Sequence, residues 1–449
     1  MTLTKTKHAL ALGVSAIALI GLAGPAAAQS QDVQELRQQM RELQQRIDQL
    51  EGDVEQAKDA AQATGKAPSI QPEKDVRLTI AGRVATGVLY AEQADQDQFF
   101  VVDNDAAESR FEFLGEKDFG DWTSGTKIIA GAELNSSDSV TFGSAASTPG
   151  GSTVDFRNVS WFVEHPRFGE LSIGKGDTSA EDSGHVDLSG TSFAGAGSDV
   201  DDIAGGLQFV NDAGQDLTGL AGTDANGDPN VENDEDELDD FFDMNDGERR
   251  TRVFYATPAF AGFSVNGTMA TSNDGDGLQP SVGFTYAASF NNFDVEAAGS
   301  WRREEEGGGN DDDYYVGSAS VMTPYGINLT LAGSTSDLES SSAEDKDSLF
   351  AKVGYATDAF NVGTTAVSFD FFRGHSNDDF AAPDGDLPEA TSFGLSAVQN
   401  IDALETELYV TGRRYNIDDV YAQVQGQQNR VEQDVDALYA VLVGARVRF

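Results

Sequence analysis

Residues 177–247 carry 20 aspartates and glutamates and not one lysine or arginine. Carboxylates at that density can hold a cation, set a field across a confined space, or keep a loop solvated. The cation reading has one candidate. Asp224, Asn226, Asp228, Asn230 and Glu235 put oxygen donors at positions 1, 3, 5, 7 and 12 of a calcium-loop pattern. Pro229 stands where that pattern needs glycine and no flanking helix is evident. An acidic, turn-rich loop is therefore the default and an external Ca2+ the alternative; no other cofactor or metal is expected. Catalysis has less to work with. Beyond His8 the histidines are His165, His185 and His375, cysteine is absent, and no Gly-x-Ser-x-Gly or zinc spacing occurs. His165 falls in a short turn and the other two in long loops, so an enzyme is not expected. A formal charge of −47 excludes nucleic acid as a partner.

The elements that position these charges are strands. From Val76 onward the apolar period is two: Val76, Leu78, Ile80, Val84, Val88 and Tyr90 share one face, Arg77, Thr79 and Arg83 the other. Such a strand has one side in lipid and one in water. The alternation recurs to the last residue in sixteen candidate strands, give or take two. Connections alternate in length, with short turns such as 118–124, 165–168, 291–292 and 401–402. Between them lie longer acidic segments at 92–107, 137–154, 177–247, 304–312, 336–346, 374–388 and 416–434. All short turns then lie on one side of the sheet and all long loops on the other. The expected fold is an all-β transmembrane barrel of antiparallel strands over 76–449. Sixteen strands leave an aqueous lumen rather than a packed core. Taking the apolar face as lipid-facing turns Arg83, Arg110, Lys127, Arg250, Arg252, Arg302, Lys352 and Arg413 inward. An unpaired charge facing lipid would cost roughly 2–4 kcal/mol at the midplane. Arg157 conflicts, because Val159, Trp161 and Val163 share its parity.

Before the strands the chain changes character. Lys5 and Lys7, an apolar stretch over 9–24 and Ala26-Ala27-Ala28 read as a secretory signal over 1–28. Its removal takes two lysines and no acid, so the formal charge becomes −47 − 2 = −49. Val33, Leu36, Met40, Leu43, Ile47, Leu50 and Val54 are spaced 3, 4, 3, 4, 3, 4 and continue to Ala57 and Ala61. That is a coiled-coil seam within 29–64. The g–e′ pairs Asp32–Arg37, Arg46–Glu51 and Asp53–Lys58 have opposite signs and favour parallel self-association. Residues 65–75, with Pro68 and Pro72, read as a short linker.

The final strand alternates Tyr439, Val441, Val443, Ala445, Val447 and Phe449 against Leu442, Gly444, Arg446 and Arg448. This ending resembles that of the trimeric Gram-negative outer-membrane porins. So do the block Ser109-Arg-Phe-Glu-Phe-Leu-Gly-Glu-Lys-Asp-Phe-Gly120 and the segment Phe168-Gly-Glu-Leu-Ser-Ile-Gly-Lys-Gly-Asp-Thr178. The preceding coiled coil looks like the DcaP-like subgroup, channels associated with small dicarboxylates. The resemblance implies a homotrimer in the outer membrane among lipid and lipopolysaccharide, with the coiled coil in the periplasm. It also implies that Phe449 is read by the barrel-assembly machinery. It makes 177–247 the loop that folds inward, so Asp177, Glu181, Asp182, Asp187, Asp199, Asp201 and Asp202 of its first part, 177–205, are expected to line the narrowest point. The inward cations would face them across the pore, and permeating ions would feel the field between. The 224–246 part is expected to be a solvated external charge run. Three functions stay open: a porin for small hydrophilic solutes preferring small organic anions, a general cation-preferring porin, and a coiled-coil envelope tether with an incidental pore.

Overall fold

A computed structural model describes residues 76–449 except 134, 144–152, 222–235, 272–276, 307–309, 339–344 and 425–428. The expected signal over 1–28, the seam from Val33 to Val54 and the linker lie outside the described residues. So does the calcium-loop candidate of Asp224, Asn226, Asp228, Asn230 and Glu235.

The period-two segments form β1 (Val76–Gln93), β2 (Gln96–Asp103), β3 (Arg110–Phe119), β4 (Trp122–Glu133), β5 (Thr153–His165) and β6 (Gly169–Asp177). After the acidic segment come β7 (Arg249–Ala256), β8 (Phe263–Thr271), β9 (Leu278–Phe290), β10 (Phe293–Glu306), β11 (Asn310–Met322) and β12 (Ile327–Leu338). The chain ends with β13 (Asp347–Phe360), β14 (Gly363–His375), β15 (Glu389–Ile401), β16 (Thr406–Asp418), β17 (Val420–Gln423), β18 (Arg430–Gln433) and β19 (Leu438–Arg448). Sixteen of these, all but β2, β17 and β18, are the staves of one antiparallel barrel. It closes where β1 pairs β19 from Arg83↔Arg448 to Glu92↔Tyr439. β2 folds back along the second half of β1, and β3 takes the first half. Closure satisfies every ladder without leaving an open edge in lipid.

The expected alternation of turns holds, but the long segment 92–107 carries β2 and 416–434 carries β17 and β18, and one further segment changes character. Residues 304–312, expected as a long loop, are mostly ladder, since β10 and β11 stay paired out to Glu306↔Asn310. Asn291 and Asn292, both at positive φ (51° and 63°), form a two-residue turn closed by Phe290↔Phe293. The two faces separate as the period requires. On β12, Ile327, Leu329 and Leu331 are exposed on the outside, while Asn328, Thr330 and Ser334 are buried inside.

Arg157 resolves its conflict through a bulge. Ile129 pairs Asn158 and Ala130 pairs Phe156, which leaves Arg157 as the extra residue. A bulge shifts side-chain parity by one. Trp161 and Val159 therefore stay outside while Arg157 reaches Glu108 inside.

The closing seam is sealed by Phe449. Its backbone exchanges two 3.0 Å hydrogen bonds with Gly82, and its ring covers the bare backbone there. A Cβ on residue 82 would stand 2.6 Å from the ring. Gly82→Val should therefore cost about 1–3 kcal/mol. It should lower the temperature at which the folded band collapses in a heat-modifiability gel.

Candidate functional site

Inside the barrel, much of the described part of the segment from β6 to β7 lies against the wall. Its buried backbone needs partners, and the inward hydroxyls of the wall supply them. Val186 N–H donates to Ser318 Oγ and Leu188 N–H to Ser320 Oγ, each at 3.0 Å on β11. Thr191 shares a 2.8 Å hydroxyl bond with Ser368 on β14. On β16, Thr411 donates to Ala194 O (2.5 Å), Arg413 to Gly195 O (3.1 Å) and Tyr415 to Val200 O (2.5 Å). Ser137 donates to Asp202 O. The first part of the segment thus follows the inner wall across β11–β16.

The later part also lies inside, where a solvated external run was expected. Phe209, Leu238, Phe241, Phe242 and Met244 are all at most 1 % exposed. The Phe242 ring sits 5.5 Å from Phe372 and 5.2 Å from Tyr415. Apolar residues spaced among the carboxylates of 236–246 carry this packing, and counting charge alone hides them. Residues 222–235 are outside the description.

The charges sort into three groups. Asp187 with Lys352 (2.5 Å) and Asp370 with Arg413 (2.7 Å) are sealed under the segment, with both cations' side chains 0 % exposed. Lys352 and Arg413 were expected to line water; they are anchors instead, because the segment lies directly over them. Asp187 is buried with its partner. A second group pairs side chains of the wall and of the loop start. Glu108, two residues before β3, takes Arg83 (3.7 Å), Arg110 (3.2 Å) and Arg157, and Arg110 also reaches Glu112 at 2.7 Å. Arg249 holds Asp177 (3.1 Å) and Glu181 (2.8 Å). Arg302 and Arg250 share Glu304, and Arg250 also meets Glu248. The third group is Lys127 and Arg252, which have no carboxylate within 4 Å among the described residues. Arg252 bonds Asp177 O and Ser172 Oγ instead.

Asp199, Asp201 and Asp202 form no ion pair with these arginines among the described residues. His185 bridges Asp199 (2.9 Å), Asp246 (3.1 Å) and Asp182 (3.5 Å), tying the two ends of the segment together. Those carboxylates raise the imidazole well above its ordinary value against the cost of burial. The hydrogen bond from His185 holds Asp182 below the usual range. Burial, reinforced by Asp199 and Asp138, pushes Asp201 and Asp202 well up.

Between the start of the segment and the walls of β4–β10 a cavity of about 310 Å3 stays open. Lys127, Ser160, Ser172 and Arg252 line its wall side, and Glu181 and Asp182 its loop side. A profile of the Gram-negative porin family matches residues 13–420. The chain belongs to the Gram-negative porins. Among solved structures, the anion-selective porin from Comamonas acidovorans is 19 % identical, with a TM-score of 0.52 over 84 % of this chain and all of that one. The outer membrane channel DcaP of Acinetobacter baumannii is 10 % identical, with a TM-score of 0.50 over 85 % and 99 % of the two chains. No curated protein matches the sequence. Fold and family together make this an outer-membrane porin.

Within this porin, sequence reasoning missed Glu108, Arg249 and the His185 bridge. Glu108 stands outside any apolar alternation, and Arg249 is the first residue of its strand, so parity could not assign either. His185 carried no signal beyond its place in an acidic loop.

The raised Asp201 and Asp202 carry a sign. Both keep their protons in the docked segment at pH values where free aspartate has lost them. Docking is therefore favoured at low pH and weakens as pH rises through those raised values. Asp201→Asn with Asp202→Asn should remove that dependence. Current noise that grows as pH rises in the unmodified channel should grow less in the variant.

Proposed function

We propose that this porin is a passive diffusion channel for small hydrophilic solutes that prefers small organic anions, and that it works as a homotrimer. The observation that carries the anion preference is the pairing pattern inside the barrel. Of the loop carboxylates, Asp177 and Glu181 share Arg249, Asp187 meets Lys352, Asp182, Asp199 and Asp246 share His185, and burial pushes Asp201 and Asp202 toward the protonated form. Glu108 and Glu112 meet three guanidiniums, and Lys127 and Arg252 have no carboxylate within 4 Å among the described residues. The wall side of the passage thus carries more guanidinium than carboxylate at the Glu108 cluster although the whole chain is strongly acidic. Charges in outer loops are screened beyond about 8–10 Å and add little to this local field.

In this reading Arg83, Arg110, Lys127, Arg157, Arg250, Arg252 and Arg302 line the path, with Asp177, Glu181 and Asp182 opposite. Asp187, Lys352 and Arg413 hold the loop. The seam from Val33 to Val54 would join three copies in the periplasm. Reversal potentials of the purified channel across a KCl gradient test the selectivity. Anion preference is expected, and clear cation preference would return the function to a general cation-preferring porin. Deletion of 30–64 tests the seam: the trimer should dissociate at lower temperature with conductance retained, whereas a tether would lose envelope attachment without losing the trimer.

A further inference from the structure

The two ends of the inward segment meet at one imidazole. Past β6 the chain runs through Asp182 to His185, and before β7 it returns through Asp243 and Asp246. His185 Nε2 lies 2.9 Å from Asp199 and 3.1 Å from Asp246, while Nδ1 lies 3.5 Å from Asp182. The backbones around it are close. Ser198 Oγ donates to Gly184 O at 2.9 Å, and a Cβ on Gly247 would stand 2.8 Å from the Ala180 Cβ. Ser318 of β11 donates to Ser183 O at 2.7 Å and fixes the turn that carries His185 to the wall. The His185 side chain is 30 % exposed and that of Asp182 64 %, and Asp182 lines the open cavity. The bridge therefore borders the space left for solute.

Its geometry asks for a charged ring. A neutral imidazole donates from one nitrogen only, and here both nitrogens face carboxylates. The Nε2 hydrogen bond goes to Asp199, so Asp246 meets the same nitrogen through charge alone; its Oδ2 is buried with no hydrogen-bond partner among the described residues. Burial alone would lower the imidazole, but Asp199, Asp246 and Asp182 raise it well above its ordinary value. Burial pushes Asp246 itself up to about 7. The other charges around the bridge come from several elements. Asp202 feels the imidazolium, and Asp243 acts on Asp246. Arg249 of β7 and Arg157 of β5 act on Asp182, and Arg302 of β10 and Lys346 act on Asp243. Arg249 also holds Glu181. Under the turn, β11 offers Val316 and Ser318, neither of which titrates.

We propose that His185 is a positioning residue of the channel: its imidazolium clasps the start and the end of the inward segment, and loss of the proton releases them. Release leaves Asp182, Asp199 and Asp246 as bare charges beside the passage. This rests on the channel reading above and adds a charge-dependent bore to it. The clasp is complete below the ordinary histidine range and is lost as pH rises through the raised value. Between those two values the released fraction grows by up to about tenfold per pH unit, because one proton leaves with each release.

The test uses the full-length channel in a planar bilayer in KCl, recorded at neutral and at alkaline pH. The unmodified channel should gain current noise and lose chloride preference as the solution becomes alkaline. His185→Gln should show that noise already at neutral pH. His185→Lys, which keeps a charge, should stay quieter than the unmodified channel at alkaline pH. Asp201 and Asp202 are the same in all three channels, so their share of the pH dependence cancels. A merely structural histidine would make the two substituted channels alike. If His185→Gln inserts poorly, Asp199→Asn removes the nearer partner and should give the same noise at neutral pH. His185→Gln as quiet as the unmodified channel, or a full alkaline response in His185→Lys, overturns the clasp while leaving the channel intact. No current in the unmodified protein would instead overturn the channel reading itself.

Discussion

Lys352→Met should free the inward loop from the barrel wall. In the folded chain the Lys352 ammonium bonds Asp187 at 2.5 Å and Ala196 O at 2.6 Å, with no exposure of its side chain. Removing one partner leaves a buried carboxylate without a counter-charge, which costs roughly 3–5 kcal/mol. The barrel ladders do not depend on this contact, so the cost falls on the docked loop. The expected result is a normally folded barrel whose single-channel current is larger and noisier. Adding Asp187→Leu removes the stranded charge and should restore a quiet channel, because replacing both members of a buried pair is often neutral. A quiet single variant would mean that the hydroxyl contacts at Ser318, Ser320, Ser368 and Thr411 hold the loop by themselves.

Arg83→Gln together with Arg157→Gln should move ion selectivity toward cations. Three guanidiniums share two carboxylates, Glu108 and Glu112, so this pair of substitutions turns a local excess of positive charge into an excess of negative charge. A unit charge about 8 Å from an ion's path, in surroundings between protein and water, is worth about 1 kcal/mol, or about fivefold in partition. Removing two should shift the chloride-to-potassium permeability ratio by at least about fivefold at low salt, and by less as salt rises. The readout is the reversal potential at two ionic strengths. A salt-independent shift would point to a change in pore shape rather than in charge.

Much of the barrel is legible before any coordinates, because period-two alternation and turn length act locally and repeat sixteen times. The inward placement of Arg83, Arg110, Lys127, Arg250, Arg252 and Arg302 follows from the same parity. Arg157 escaped it because a bulge is one unpaired residue, invisible to a pattern that counts by twos. The loop was harder to read. Its charges pointed outward for 224–246, yet Phe242 packs on Phe372 and Tyr415, Phe241 packs on Phe380, and Met244 is fully buried. Lys352 and Arg413 have the right parity to line water, and only the path of the loop over them makes them anchors. Parity gives the direction of a side chain and not what covers it.

The path of the solute is the central claim, and the absence of cysteine from the chain allows a direct test. Thr285 lines the open cavity between the loop start and β4–β10, whereas Ser368 is buried beneath the loop against Thr191. Thr285→Cys and Ser368→Cys channels can each be exposed to an anionic methanethiosulfonate reagent while current is recorded. The current through Thr285→Cys should fall on modification, and that through Ser368→Cys should not change. Block at residue 368 with an inert residue 285 would put the conducting path under the loop and contradict this account.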